Sequence, residues 1–99
     1  MADRRYDVVL LREAEDQLDR ILLWWEENRT KAPDAVEEDL LEAKDQLAHA
    51  PESGSPDRKR PGRWRLLLPR IRYYLYYTVD HDAGRVSIEA IWHTSRLGP

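Results

Sequence analysis

The chain contains no cysteine, only one methionine and only four glycines among its 99 residues. The absence of cysteine excludes disulfides and thiolate chemistry, and it fits a protein of a reducing compartment. No window approaches the roughly 18 consecutive apolar residues of a membrane span, and the amino-terminal residues do not have the apolar stretch of an export signal. We therefore expect a cytoplasmic protein with a single small domain, residues 1–99.

Residue patterns for several kinds of chemistry are also missing. No two of the histidines His49, His81 and His93 have the spacing of metal ligands. There is no glycine-rich phosphate-binding loop and no Ser-His-Asp arrangement. We expect neither a metal nor a cofactor. His93, close to Arg96 in sequence, is the one histidine in a setting that suits catalysis or binding; the alternative is a hydrogen-bonded structural imidazole.

Charge is divided unevenly along the chain, whose net charge is −3. Residues 1–50 carry 7 basic and 14 acidic side chains, whereas residues 51–99 carry 9 basic and 5 acidic ones. Seven cations with no carboxylate between them lie from Arg58 to Arg72, directly before the aromatic sequence YYLYY at 73–77. Such sorting predicts two faces with different roles, and the basic, aromatic half is the candidate functional one.

Hydrophobic periodicity predicts the secondary structure. Apolar residues at helical spacing form two stripes: Ala14, Leu18, Ile21 and Trp25, then Val36, Leu40, Ala43, Leu47 and Ala50. We predict a strand at 6–11, helices at 12–28 and 33–50, a loop at 51–62, three antiparallel strands within 63–93, and a short tail at 94–99. This β-α-α-β-β-β order predicts an α+β fold in which a helical hairpin packs on one face of a small antiparallel sheet.

Alternation along the three strands assigns side chains to the two faces of the sheet. The apolar sets belong under the helices. The other side, called the open face, is then a mixed cationic and aromatic surface; its predicted members are Arg63, Arg65, Leu67, Arg72, Tyr74, Tyr76, Ile91 and His93.

Several of these features have more than one interpretation. The basic loop at 58–60 either contacts phosphate or a target, or is a solvated loop. Arg63 and Arg65 either bind an anion or pair with Glu89 across the sheet. Tyr74 and Tyr76 either stack on bases, are buried by a protein partner, or pack across strands. Trp24, on the flank of the first helical stripe, is either half-buried or part of an interface.

Four segments carry a family resemblance: VVLLREAEDQLDRI at 8–21, LAHAPESG at 47–54, YYLYYTV at 73–79 and VSIEAIWHTSR at 86–96. In this order, and over nearly the whole chain, they resemble the RelE/ParE superfamily of toxins from bacterial type II toxin–antitoxin modules. The resemblance implies one of two activities. RelE-like members cleave mRNA in the ribosomal A site with basic residues and often a tyrosine, whereas ParE-like members poison DNA gyrase.

Departures from the RelE pattern favour the ParE-like branch. Tyr74 stands where the RelE-like middle strand has an arginine pointing to the open face, and the sequence after Arg96 does not supply the tail tyrosine of many RelE-like toxins. Glu89 adds a negative charge that would repel phosphate. The resemblance therefore implies a gyrase inhibitor that binds its target and has no covalent chemistry of its own. A ribosome-dependent, metal-independent mRNA endonuclease is the alternative, and a degenerate, non-toxic binding module is the second.

These readings assign the candidate site residues. A ribonuclease would use Arg63, Arg65, His93 and Arg96; target or phosphate contacts would come from Arg58, Lys59, Arg60, Arg63, Arg65 and Arg72. The resemblance also implies a cognate antitoxin, whose disordered segment folds onto the toxin. We expect that segment to be acidic and amphipathic, and to contact Trp24, Leu67, Tyr74, Tyr76 and Ile91.

Overall fold

The computed structural model describes residues 5–28, 31–96 and 98–99. Two helices and five strands follow one another: β1 (Asp7–Leu10), α1 (Arg12–Glu27), α2 (Ala35–His49), β2 (Ser55–Pro56), β3 (Arg63–Leu68), β4 (Tyr73–Asp80) and β5 (Arg85–His93). The α+β class is confirmed. None of the described helices is long and apolar enough to cross a membrane.

The two helices bury most of the stripes that their sequences predict, although Ala50, at the end of the second stripe, follows α2 and is exposed. Ala14 and Ile21 of α1 and Val36 and Leu47 of α2 are buried in one core with the inner face of the sheet. Helix α1 begins directly after Leu11 with acidic residues in its first turn, which the helix dipole favours. Together α1 and α2 cover one side of the sheet, and the other side is the open face.

The sheet is larger than predicted and is mixed. Its order is β1-β5-β4-β3-β2. β1 runs parallel to β5, with Val8 opposite Val86, while the other neighbouring pairs are antiparallel. The three strands predicted within 63–93 are antiparallel as expected, but β1 adds a parallel strand at one edge, so the sheet as a whole is mixed and not antiparallel. Parallel strands need a long crossover connection, and here residues 11–84, which include both helices and the strands β2 to β4, separate β1 from β5.

The short strand β2 lies in the segment that was predicted to be a loop. Ser55 pairs with Arg65 and Pro56 with Trp64 at the edge of the sheet. Serine and proline are typical of loops, but proline is tolerated in an edge strand because the outer edge needs no ladder hydrogen bond. Just before β2, the Gly54 N–H donates to the Tyr77 hydroxyl over 3.1 Å, and burial raises the pKa of Tyr77.

A β-bulge changes the facing of residues near the end of β5. Tyr76 is opposite Ala90, but the next residue, Tyr77, is opposite Ile88, so that Glu89 has no partner in the ladder. One extra residue reverses the alternation beyond it. Ile91 therefore lies opposite Leu75 in the core, where it is 4% exposed. The prediction that Ile91 lies on the open face is wrong.

The same shift moves His93 to the helix side of the sheet, where it lines a cavity with Gln17, Arg20 and Ile21 of α1. The prediction of an open-face His93 is therefore also wrong. The bulge also places Trp92 opposite Tyr74, so Trp92 lies on the open face.

The turn between β3 and β4 is held by a buried carboxylate of α2. Asp39 accepts the backbone N–H groups of Arg70, at 2.9 Å, and of Ile71, at 3.0 Å. Arg72 ends this turn with φ 64°, a left-handed conformation that is uncommon outside glycine. Two backbone hydrogen bonds hold it there: its N–H donates to Leu68, and its carbonyl accepts from Thr94. Arg72 thus precedes β4 and does not belong to the open face, contrary to the prediction.

Candidate interaction surfaces

Arg63 lies on the open face but is not available to a ligand. Its side chain is 4% exposed; Nε donates to the Asp57 carboxylate over 2.6 Å, and Nη2 donates to the Pro99 carbonyl over 2.7 Å. Burial acts to raise the pKa of Asp57, but the Lys59 N–H and the Arg63 guanidinium more than offset this, and the pKa is lowered. Arg63 and Asp57 therefore form a buried ion pair, and the prediction of a free Arg63 is wrong.

Tyr76 is covered by the carboxy-terminal residues of the chain. It is 5% exposed. The Arg63 guanidinium lies 5.0 Å from its ring centroid. Gly98 lies so close that a Cβ there would be 2.6 Å from the Tyr76 hydroxyl. Gly98 and Pro99 thus pack across this part of the open face, and Tyr76 does not offer the exposed ring that was predicted.

The accessible part of the open face lies beside β2 and the basic loop. Arg65 stacks over the Tyr74 ring with its guanidinium carbon 4.3 Å from the centroid. Leu67, opposite Tyr74 in the ladder, is 42% exposed. Arg58 and Lys59 lie with Arg65 around a cavity of about 680 Å³, whose lining also includes Asp57. We call Arg58, Lys59, Arg65, Leu67 and Tyr74 the basic surface.

Glu89 reduces the positive charge at the margin of this surface. Its carboxylate lies 3.7 Å from the guanidinium of Arg60 and accepts a long hydrogen bond of 3.4 Å from the Thr78 hydroxyl. The cross-strand partner that the sequence suggested, Arg63 or Arg65, is therefore replaced by Arg60 from the basic loop. Arg60 is exposed, and its contact with Glu89 is of the surface kind, which is weak.

A second cationic surface lies on the helix side of the sheet, at the end where β4 begins and β5 ends. Two adjoining cavities of about 480 and 520 Å³ share Tyr73, His93 and Arg96 in their walls. We call this region the arginine groove, and its defining residues are Arg20, Trp24, Arg72, Tyr73, His93 and Arg96. Trp24, from α1, is 54% exposed, as its predicted interface role requires.

His93 contacts Ser95 and Tyr73 in the arginine groove. Its Nδ1 accepts the Ser95 N–H over 3.1 Å and lies 2.7 Å from the Ser95 hydroxyl. Its ring meets Tyr73 edge-on, with centroids 5.1 Å apart and planes at 87°. Since Nδ1 is an acceptor, the neutral ring carries its proton on Nε2.

Arg70, at the edge of the groove, forms ion pairs with the nearby carboxylates of α2. Arg70 lies 3.3 Å from Glu38, 2.9 Å from Asp39 and 2.7 Å from Glu42. The hydrogen bonds that Arg70 donates to Glu42 and Asp39 raise the pKa of Arg70, and those to Glu42 lower the pKa of Glu42. Arg70 thus fastens the β3–β4 turn to α2 and is not free for a ligand.

The four residues of the ribonuclease hypothesis do not meet. Arg65 belongs to the basic surface on the open face, while His93 and Arg96 line the arginine groove on the helix side. Arg63 is on the open face, with its guanidinium engaged by Asp57. The sheet therefore separates the candidate proton-transfer group from the two strand arginines.

Residues 8–98 match the family model described as the ParE toxin of the type II toxin–antitoxin system parDE. The chain belongs to the ParE toxin family. No curated protein matches it significantly.

Solved structures share the fold of this ParE-family chain at low sequence identity. The chromosomal ParDE system from P. aeruginosa matches with a TM-score of 0.68 and 19% identity, covering 91% of this chain and 97% of that one. The RelBE2 toxin–antitoxin complex from Mycobacterium tuberculosis gives 0.68 and 21%, covering 93% and 94%. The YoeB/ParE toxin from Agrobacterium tumefaciens gives 0.62 and 17%, covering 88% and 96%.

Some residues that shape the surfaces of this ParE-family toxin were not singled out from sequence. Asp39 had a detectable signal, since it stands three residues after Val36 and four before Ala43 in the buried stripe of α2. A carboxylate in such a stripe needs hydrogen-bond donors. Asp57 and Arg20 carried no comparable signal. Among the described residues, no group of three or more His, Asp or Glu side chains is arranged to hold a metal.

Proposed function

We propose that this ParE-family toxin inhibits DNA gyrase by binding it, without covalent chemistry of its own. The observation that carries the proposal, beside the family match, is the separation of the candidate catalytic residues by the sheet. Metal-free RNA cleavage needs cations aimed at one phosphate and a proton-transfer group within hydrogen-bond reach. A binding function needs only an accessible surface, and the basic surface is one.

The composition of the basic surface supports a macromolecular partner. Arg65 stacked on Tyr74 presents a planar cation on an aromatic ring, and the exposed Leu67 adds apolar area beside them. Arginine and tyrosine are enriched among residues that carry most of the binding energy at protein interfaces. The loop cations Arg58 and Lys59 extend this surface and steer an acidic partner toward it.

The target is tested with purified toxin in a gyrase supercoiling assay. We expect inhibition of supercoiling and trapped complexes of gyrase with cleaved DNA. The variant Arg58→Glu should weaken inhibition, with Arg85→Glu, at the start of β5 and two strands away from β3, as the control of equal charge change. Unimpaired supercoiling at high toxin excess would refute the proposal. New mRNA 5′ ends in primer extension on translated message would support the endonuclease instead, and normal growth on expression would support the non-toxic module.

We further propose that a cognate antitoxin holds the toxin inactive. The Mycobacterium structure is described as a toxin–antitoxin complex and has the same fold. Of the predicted contacts, Leu67, Tyr74 and Trp24 remain accessible, whereas Tyr76 and Ile91 are buried within the chain. A segment that folds on binding needs a large apolar footprint and complementary charge to offset its ordering entropy.

Two substitutions on the basic surface test this partner. Arg65→Glu should weaken the complex, and the loss should shrink as salt rises because exposed charges are screened. Leu67→Ala should weaken it with little salt dependence, since that loss is apolar. Calorimetric titration at two salt concentrations measures both. Unchanged affinity in two folded variants would place the antitoxin elsewhere on the toxin.

A further inference from the structure

The arginine groove is cationic in a chain whose net charge is −3. The side chains around its two cavities include four arginines, and no described lining residue is a carboxylate. The nearby carboxylates of α2 are engaged by Arg70. Within the described ranges, Arg20, Arg72 and Arg96 have no ion-pair partner. Three uncompensated cations around one depression favour an anion with more than one charge.

Backbone hydrogen bonds fix the positions of Arg72 and Arg96 in the main chain beside the groove. Arg72 adopts φ 64° and is fixed by backbone hydrogen bonds to Leu68 and Thr94. The Arg96 N–H donates to the His93 carbonyl over 3.0 Å, so the turn after β5 brings Arg96 back beside the histidine. A non-glycine residue held at positive φ by its surroundings is a frequent feature of binding sites. Here the strained residue is also one of the three free cations.

Aromatic rings lie beside these cations. Tyr73 and His93 are in edge-to-face contact between the two cavities. Trp24 is exposed, while its neighbour Trp25 is fixed by a 2.7 Å hydrogen bond from its indole N–H to the Ala32 carbonyl. Aromatic rings that alternate with arginines are the usual construction for single-stranded nucleic acid, because the rings stack on bases and the guanidinium groups bind phosphates.

We propose that the arginine groove binds a short stretch of single-stranded nucleic acid, with phosphates on Arg20, Arg72 and Arg96 and a base on Trp24. Each cavity, at about 480 and 520 Å³, is within the range of small-ligand sites. The two adjoining cavities therefore suit consecutive nucleotides. An acidic peptide would use the charges but leave the rings without a stacking partner. The inference concerns the opposite side of the sheet from the basic surface and does not depend on gyrase as the target.

The test is fluorescence anisotropy with the isolated toxin and a labelled oligothymidylate about ten nucleotides long. Three neutralised phosphates on a single strand predict a slope of log K against log salt of about −2. Arg72→Gly keeps the positive φ and removes the cation. It should lower affinity about tenfold, the equivalent of one charge-assisted hydrogen bond, and make the slope shallower by about 0.7. Arg85→Ala is the charge-matched control and should change neither.

Stacking is tested separately by Trp24→Ala against Leu23→Ala, since the two side chains are equally exposed on α1, at 54%. Only the first should weaken binding. Arg96→Ala replaces Arg72→Gly if that variant does not fold. A parallel titration with oligouridylate distinguishes DNA from RNA as the source of the strand, and preference for either supports the site.

Three results would overturn the proposal: no saturable binding, equal losses in Arg72→Gly and Arg85→Ala, or a duplex bound as tightly as the single strand. The same variants in the supercoiling assay separate this inference from the proposed function. Gyrase inhibition without oligonucleotide binding would refute the nucleic-acid site in the arginine groove and support gyrase as the target. Oligonucleotide binding without gyrase inhibition would support the groove site and refute gyrase as the target.

Discussion

The substitution Asp57→Asn removes the charge that neutralises a buried arginine, and its effect follows from the burial of the pair. The side chains of Asp57 and Arg63 are 8% and 4% exposed. Removing one partner of a buried ion pair leaves an uncompensated charge and costs about 3–5 kcal/mol. Asparagine keeps an oxygen that can accept the Lys59 N–H, so we expect the lower end, about 3 kcal/mol. A domain of this size has a total stability of only about 5–15 kcal/mol.

Urea unfolding followed by tryptophan fluorescence measures this loss as a change in midpoint at constant slope. The control is Asp19→Asn on the exposed side of α1, which has no ion pair within the described part of the chain and should change stability by less than about 0.5 kcal/mol. The difference between wild type and Asp57→Asn also depends on pH. The folded pKa of Asp57 is lowered, so its contribution is present above the unfolded value of 3.8 and is lost as pH falls through the folded value.

The two proteins should therefore converge in stability as the pH falls through the folded pKa of Asp57, which lies below 3.8. If Asp57→Asn costs no more than Asp19→Asn at neutral pH, Arg63 does not depend on Asp57 for its buried charge. The assignment of Arg63 as a structural residue would then be wrong.

Three further substitutions have effects that the contacts predict. Asp39→Ala leaves two backbone N–H groups without their acceptor and should cost about 2–5 kcal/mol, with faster hydrogen exchange at the Ile71 amide as the local readout. Gly54→Ala places a Cβ against the Arg65 carbonyl and the Tyr77 hydroxyl. It should lower the melting temperature more than Gly62→Ala, where the cost is the positive φ alone, about 1 kcal/mol. Arg72→Gly relieves a left-handed residue and should raise stability by about 0.5–1 kcal/mol in urea unfolding.

The helices were accessible from sequence because their signals are local. Apolar residues at helical spacing define α1 and α2, and the burial of Ala14, Ile21, Val36 and Leu47 follows that spacing. The parallel pairing of β1 with β5 was not accessible. It joins segments almost at opposite ends of the chain, and no local pattern specifies which edge of a sheet an apolar strand will take.

The candidate site was harder to predict, because one inserted residue changed it. Strand alternation is reliable only while the ladder is regular, and the bulge at Glu89 exchanged the facing of Ile91 and Trp92. Arg63 shows a second limit. Strand alternation correctly placed Arg63 on the open face. Its burial depends on the carboxylate of Asp57, which lies in a loop where hydrophobic periodicity gives no information. Arg65 and Leu67, which lie before any irregularity, are accessible on the open face as predicted.

The parallel pairing of β1 with β5 also governs when the toxin can fold during its synthesis. Asp7 to Leu10 find their ladder partners only at Arg85 to Ile88. Translation proceeds at about 5–20 residues per second. Several seconds therefore pass between the synthesis of β1 and α1 and the synthesis of β5, against which both pack. A growing chain therefore has no complete sheet until β5 has left the ribosome, and a strand of long sequence separation closes the fold last. Until then α1 lacks β5, its main partner in the sheet.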